Sequence, residues 1–301
     1  MRKNQSNLTT LLEIYDDDLE RLGYRVGIDR SANTLSALRQ GRGYVAAFIK
    51  ERLRRRDVPL QKLTPQWIRE FSVYLSADRR LLGGTVWLAC QQLKGVVARA
   101  HQRGLLTWNP FAGFHIAKKI RPRQYLSEEE LKMLAYHDFR KKSLNYARDI
   151  FIFASMTGLS FVDISELRSS DIVVLGERTW IVSKRHKTEV PYQVRLLDTP
   201  LRILRRYQQT GRDKVFDHVE YRTMANRIRI IMNEIGIKKR ITMHCARHTF
   251  AVLAINKGMP IESLSRILGH TNITTTQIYA KITMQKLDDD ITEFEKRLCL
   301  S

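Results

Sequence analysis

Four side chains in this chain of 301 residues, His244, Arg247, His270 and Tyr279, combine two imidazoles, a guanidinium and a phenol, groups that bind anions and carry protons. They lie within one stretch, MHCARHTFAVLAINKGMPIESLSRILGHTNITTTQIYAK, whose periodicity predicts three short helices. Over 243–257 the apolar residues Ala246, Phe250, Leu253 and Ala254 mark one helix face, and Gly258 can end the helix in a left-handed cap. At about 100° per residue, His244, Arg247 and His248 fall on the opposite face, so the imidazole and the guanidinium are expected one turn apart and turned away from the core. Pro260 opens a second helix with Ile261, Leu264, Ile267 and Leu268 as its stripe and Gly269 as its stop, which leaves His270 just past a helix end. Thr274, Thr275 and Thr276 offer an N-cap for a third helix carrying Tyr279, nine residues beyond His270. Each of these side chains alone has an ordinary structural use, a tyrosine packing beside Ile278 or an arginine solvated on a helix. A metal site is a second chemistry, because His244 and His248 have the i, i+4 spacing of a zinc-binding helix with Cys245 as a third donor. Cys245 stands where a metalloprotease helix needs its general-base glutamate, so no metal is expected.

Taken together, His-x-x-Arg-His, then Leu-Gly-His, then a tyrosine nine residues on resembles the C-terminal signature of the tyrosine recombinases, the phage integrase family. The resemblance implies that Tyr279 is a nucleophile on a DNA phosphate, with His244, Arg247 and His270 around that phosphate.

Composition bounds the setting independently. The formal charge is +21 and both halves of the chain are basic, which points to a polyanion and most directly to nucleic acid. No apolar run is long enough to span a membrane, and no basic amphipathic helix carries an aromatic face. Asp16, Asp17 and Asp18 interrupt the start, so no signal peptide is expected. Three cysteines, Cys90, Cys245 and Cys299, are too scattered for a disulfide framework. A reduced, cytoplasmic protein fits these features.

The length suggests two domains. The first half reads as four or five helices: one around LTTLLEIYDDDLERLGY, one over 34–56, one opened by Thr64 with Pro65 behind it, and one over 85–103 ending at Gly104. Its basic clusters, Arg52 with Arg54 to Arg56 and Arg79 with Arg80, are solvated helix ends or phosphate contacts. The closely spaced aromatics of a single-strand-binding surface are absent, which favours duplex DNA. This bundle, over 1–113, resembles the family's core-binding domain. Residues 114–124 break the pattern between Pro110 and Pro122 and read as a basic interdomain linker. Family members use such a linker to close two domains around DNA, and Lys118, Lys119, Arg121 and Arg123 are expected to follow the backbone. Ser127 with Glu130 forms a capping box that opens the catalytic domain, 125–301. The expected fold is therefore mainly α with a small antiparallel β-sheet, a helical bundle followed by a mixed α+β catalytic domain.

After the helical run NYARDIFIFASMTG comes LSFVDISELR. The family's first arginine box has Gly-Leu-Arg with an acidic residue three places after the arginine. Gly158, Leu159 and Asp163 match, but Ser160 stands at the arginine position, and a hydroxyl supplies neither fixed charge nor a bidentate fork. Arg148, on the preceding helix, is the expected replacement. From Ile172 the period changes to that of three antiparallel strands, with a turn near Gly176 and a basic tip at 184–187. The family carries a lysine on this hairpin that protonates the leaving 5′-oxygen. Lys187 matches it most closely, with Lys184 next, and Lys184 and Arg185 are expected to touch DNA. Past Tyr279, Leu287, Ile291, Phe294 and Leu298 form the stripe of a final helix, which in the family often docks on a neighbouring subunit.

The resemblance implies a site-specific recombinase working as a tetramer on two DNA duplexes through a 3′-phosphotyrosyl intermediate, with no metal or nucleotide cofactor. A type IB topoisomerase uses nearly the same side chains, and a DNA-binding protein that has lost catalysis together with the first-box arginine is the third reading. With no small additional N-terminal domain in these 301 residues, simple recombination sites are expected.

Overall fold

The computed structural model describes residues 10–116, 124–186, 188–279 and 284–298. Two compact units emerge, Met1–Arg121 and Pro122–Ser301.

The first unit contains α1 (Leu11–Gly23), α2 (Ala32–Glu51), α3 (Pro65–Val73) and α4 (Gly83–Gln102), with a π-helical turn, Tyr74–Asp78, continuing α3. Capping sets the boundaries. Ser31 accepts from Thr34 N at 3.3 Å and starts α2 earlier than expected, while a left-handed φ of 53° at Arg54 lies past its early end at Glu51. Thr64 accepts from Trp67 N at 3.1 Å with Pro65 in the first turn, as the sequence predicts. The apolar faces meet in one core, where the ring of Phe48 packs against Trp67 at 5.0 Å and Phe71 at 5.6 Å between centroids. In the basic clusters, Arg52 pairs with Asp78 and Arg79 with Glu51, while Arg54, Arg55, Arg56 and Arg80 are exposed.

The second unit is built on α6 (Lys142–Thr157), a helix buried nearly all round, with Ala147, Phe151, Phe153 and Ala154 fully enclosed. Around it lie α5 (Glu128–Tyr136), α8 (Asp198–Tyr207), α9 (Tyr221–Glu234) and α10 (Met243–Asn256). Ser127 accepts from Glu130 N at 3.2 Å and Glu130 accepts from Ser127 N at 2.7 Å, completing the capping box. A short helix, α7 (Phe161–Ser165), leads to β1 (Ile172–Leu175), β2 (Arg178–Lys184) and β3 (Pro191–Arg195), an antiparallel sheet in that order. Its register pairs Ile181 with Val194 and Ser183 with Tyr192, so Ile181, Tyr192 and Val194 face inward. Next come α11 (Ile261–Leu268), which touches β3, then α12 (Thr274–Gln277) and α13 (Met284–Leu298).

The fold class agrees with the sequence expectation. The helix expected to carry Tyr279 is shorter than predicted: Asn272 Oδ1 accepts from both Thr274 N (2.9 Å) and Thr274 Oγ1 (2.7 Å) at its start, and Tyr279 follows the single helical turn. Among the described residues no helix is long and apolar enough to cross a membrane.

Candidate phosphate-binding site

Three helix ends meet at Arg247. Gly158 ends α6 in the left-handed conformation, φ 70°, and its carbonyl accepts from Arg247 Nη1 at 2.7 Å. Leu268 ends α11, capped by Gly269 at φ 59°, and its carbonyl accepts from Arg247 Nη2. Terminal carbonyls of a helix carry partial negative charge and lack intrahelical partners, so a guanidinium satisfies both. The third element is α10 itself, which supplies the arginine from its first turns.

Arg247 and His248 are 8% and 2% exposed, which corrects the expectation that this face turns away from the core. The reason is that α10 packs on both α6 and α11, which encloses residues 245–249 and leaves His244 exposed at its start. His244, in that turn, is exposed, and its ring lies 4.4 Å from that of His248. The ring of His248 in turn lies 5.2 Å from that of Tyr279. Tyr279 is partly buried against Ala251, Leu264 and Leu268, within electrostatic reach of Arg247.

His270 completes the centre. Its Nε2 lies 3.0 Å from Arg247 Nη2 and its Nδ1 2.8 Å from Thr276 Oγ1. Burial, aided by the charges of Arg247 and Arg185, pushes its pKa down to about 4, so the ring is neutral near pH 7. Burial and the neighbouring Arg185 lower Arg247 to about 10, still a cation at that pH.

A second polar group adjoins the first. Ser160 caps α7 and donates from Oγ to Asp163 Oδ2 at 2.7 Å. The same carboxylate accepts from Arg185 Nη1 at 2.7 Å and from His186 N at 3.1 Å. Burial opposes ionisation of Asp163, but the Ser160 hydrogen bond and the charge of Arg185 outweigh it and hold the carboxyl below its ordinary range. Arg185 also donates from Nη2 to the Ile267 carbonyl at 2.6 Å, and its guanidinium sits 4.1 Å from the centroid of Tyr192.

Of the residues singled out from the sequence, His244, Arg247, His270 and Tyr279 are brought together. Arg148 is not. It donates from Nε to Asp149 at 2.9 Å and from Nη1 to the His137 carbonyl. At 1.5 Å per residue it lies about 15 Å along α6 from Gly158. That helix does aim its end at the centre, but Arg148 belongs to the other end. Lys184 is exposed, whereas Arg185, expected at a DNA-facing tip, is 5% exposed and turned inward. Lys187, Lys118, Lys119, Arg121 and Arg123 lie outside the described residues. Sequence reasoning missed Thr276 and the inward course of Arg185. The strand alternation Ile181, Ser183, Arg185 carried that second signal. Among the described residues no three His, Cys, Asp or Glu side chains gather as metal ligands, and Cys245 Sγ accepts from Thr242 N at 3.3 Å at the head of α10.

Comparison with known proteins bears on both units of the chain. Residues 10–120 match the phage integrase SAM-like domain. The chain is 24% identical over 246 residues to Tyrosine recombinase XerC of Pediococcus pentosaceus, covering 76% of this chain and 82% of that one. It is 27% identical over 262 residues to Tyrosine recombinase XerA of Thermococcus onnurineus, covering 76% and 89%. Its fold resembles that of the Tn1549 transposon integrase in complex with transposon right end DNA, with a TM-score of 0.76 at 16% identity over 95% of this chain and 99% of the other. Residues 124–286, which hold every part of the site just described, match the phage integrase family model, and the chain belongs to that family.

Proposed function

We propose that this chain is a site-specific recombinase that cleaves and rejoins duplex DNA through a 3′-phosphotyrosyl intermediate. The observation that carries the reading is the convergence of Arg247, His270 and Tyr279, from three separate elements, on one basic centre whose imidazole is neutral. Tyr279 Oη attacks the scissile phosphorus and its proton passes to a neighbouring base. The bond to the 5′-oxygen breaks, and that oxygen leaves as a hydroxyl. Arg247 takes up charge developing on the non-bridging oxygens. His244 assists by hydrogen bonding and proton transfer, and His270 assists through the bond its Nε2 accepts from Arg247. Lys187 gives the leaving oxygen its proton, a role that rests on the resemblance. A 5′-hydroxyl from a second duplex then attacks the phosphotyrosine, restoring the phenol and exchanging strands without nucleotide hydrolysis.

The working form is a tetramer on two duplexes in the cytoplasm, with Ile291, Phe294 and Leu298 of α13, all exposed, as the face that meets a neighbouring copy. Residues 1–113 bind the core site, 114–124 link, and 125–301 cleave. Lys118, Lys119, Arg121, Arg123 and Lys184 supply phosphate contacts. Ser160 occupies the position of the family's first-box arginine.

A nicked suicide substrate, from which the cleaved end diffuses away, tests the reading. A covalent protein–DNA adduct that disappears in Tyr279→Phe is the expected result. Intact binding without an adduct would instead indicate a non-catalytic DNA-binding protein. Exchange between two duplexes, against relaxation of one supercoiled circle, separates a recombinase from a topoisomerase.

A further inference from the structure

The Ser160 hydroxyl is fully engaged in capping α7 and in its bond to Asp163, so it offers no donor to a phosphate. The carboxylate it holds is the anchor of Arg185. That guanidinium is buried, stacked on Tyr192, and tied to the carbonyl of Ile267, while Arg247 is tied to the next carbonyl, that of Leu268. Two guanidinium groups are therefore fastened to successive peptides at the C-terminal end of α11. Arg185 Nε is buried with no hydrogen-bond partner. The path it takes is open only because residue 269 is glycine: a Cβ there would lie 2.7 Å from Nε.

The charges do not balance. Two cations are buried here against one carboxylate, Asp163, with His270 neutral, which leaves one positive charge in a place where water screens it poorly. One further negative charge is what a phosphodiester brings.

We propose that Arg185 is a catalytic residue, the second guanidinium on the scissile phosphate, and that it does from the β2 end what an arginine at position 160 would do from α7. The proposal rests on the reading of the chain as a recombinase. Ser160 and Arg185 are complementary in this account. An arginine at 160 would itself use the Asp163 carboxylate, whereas serine holds that carboxylate still and leaves one of its oxygens for the guanidinium arriving from the hairpin.

The test uses the full chain and the nicked substrate with three proteins: wild type, Arg185→Ala and the double variant Arg185→Ala with Ser160→Arg. Losing one charge-stabilising donor is expected to slow adduct formation about 10²–10³-fold in Arg185→Ala, and the arginine restored at 160 to recover at least about tenfold. A substrate with a neutral methylphosphonate at the scissile position needs less cationic stabilisation, so on it Arg185→Ala is expected to approach wild type. A merely structural role would show no such recovery. If Arg185→Ala does not fold by circular dichroism, Arg185→Lys takes its place; it keeps the charge beside Asp163 but lacks the fork, and a loss of at least about tenfold is expected. Adduct formation within about threefold of wild type in the folded variant, or no recovery on the methylphosphonate, overturns the proposal. Wild type giving no adduct at all overturns the recombinase reading instead.

Discussion

Arg247 Nη2 and His270 Nε2 face each other across 3.0 Å, and because a guanidinium has donors only, the imidazole nitrogen accepts there. The ring is then neutral, with its proton on Nδ1, donated to Thr276 Oγ1 at 2.8 Å. The folded-state pKa of about 4 lies below the ordinary value of 6.5. The folded protein therefore binds fewer protons than the unfolded chain between those values. The contribution is fully present above pH 6.5 and is lost as pH falls toward 4. Since the ring is only half-buried, solvent screening reduces the effect to about 1–2 kcal/mol. Urea titrations at pH 7 and pH 4.5 on wild type and His270→Gln should show the variant losing less stability on acidification. Equal losses would contradict this account of the ring.

Thr276 fixes which nitrogen of His270 carries the proton. The substitution Thr276→Val keeps the shape but leaves the Nδ1–H of a half-buried ring without its acceptor, at a cost of about 1 kcal/mol. The ring then gains from turning or changing tautomer, and adduct formation on the nicked substrate is expected to fall about tenfold, since outer hydrogen bonds typically carry effects of that size. Thr276→Ser should restore it. A valine variant as active as wild type would mean that Arg247 alone orients the ring.

Much of this centre is legible in the sequence because its parts are local. The periodicity of α10 and α11, the glycine stops and the spacing from His270 to Tyr279 are all set within a few turns of chain. The neighbours of α10 are not local. Whether Arg247 faces water or the interior depends on α6 and α11 closing over it, and helical phase alone cannot tell a solvent face from a second packed face. Arg185 illustrates the same limit. A run of basic residues at a hairpin tip reads as solvated, and only the pairing of Ser183 with Tyr192 turns the next inward position toward Asp163. Arg148 shares the helix that ends at the centre, but position along the helix, rather than membership of it, decides what a side chain reaches.

Gly158, whose carbonyl holds the guanidinium of Arg247, leaves no room for a side chain. A Cβ at this residue would lie 2.6 Å from Phe250 Cδ1 and 2.9 Å from Cε1, and its φ of 70° disfavours any side chain. Left-handed strain and the clash together are expected to make Gly158→Ala less stable by about 2–4 kcal/mol. Since the Gly158 carbonyl also holds Arg247, adduct formation should fall along with the melting temperature. A variant with unchanged melting and unchanged cleavage would show that α10 can shift away from the cap freely.

Arg148 is expected to act on stability and not on chemistry. Asp149, 3% exposed, accepts from Arg148 Nε at 2.9 Å, Arg206 Nη1 at 2.7 Å and Tyr207 Oη at 2.8 Å, which ties α6 to α8. Removing Arg148 leaves the carboxylate two of its three partners. The cost should therefore sit at or below the lower end of the range for breaking a buried ion pair, about 2–3 kcal/mol. Asp149→Ala leaves the buried guanidinium of Arg148 only the His137 carbonyl and the exposed Asp138 at 3.8 Å, removes the partner of Arg206 and Tyr207 as well, and should cost more, about 3–5 kcal/mol. At a temperature where Arg148→Ala stays folded, its adduct should form at the wild-type rate, because nothing that Arg148 touches reaches Arg247. Chemical denaturation and single-turnover cleavage on the same preparations separate the two effects. A folded Arg148→Ala protein that binds the nicked substrate but forms no adduct would return Arg148 to the catalytic centre and leave Arg185 as its scaffold.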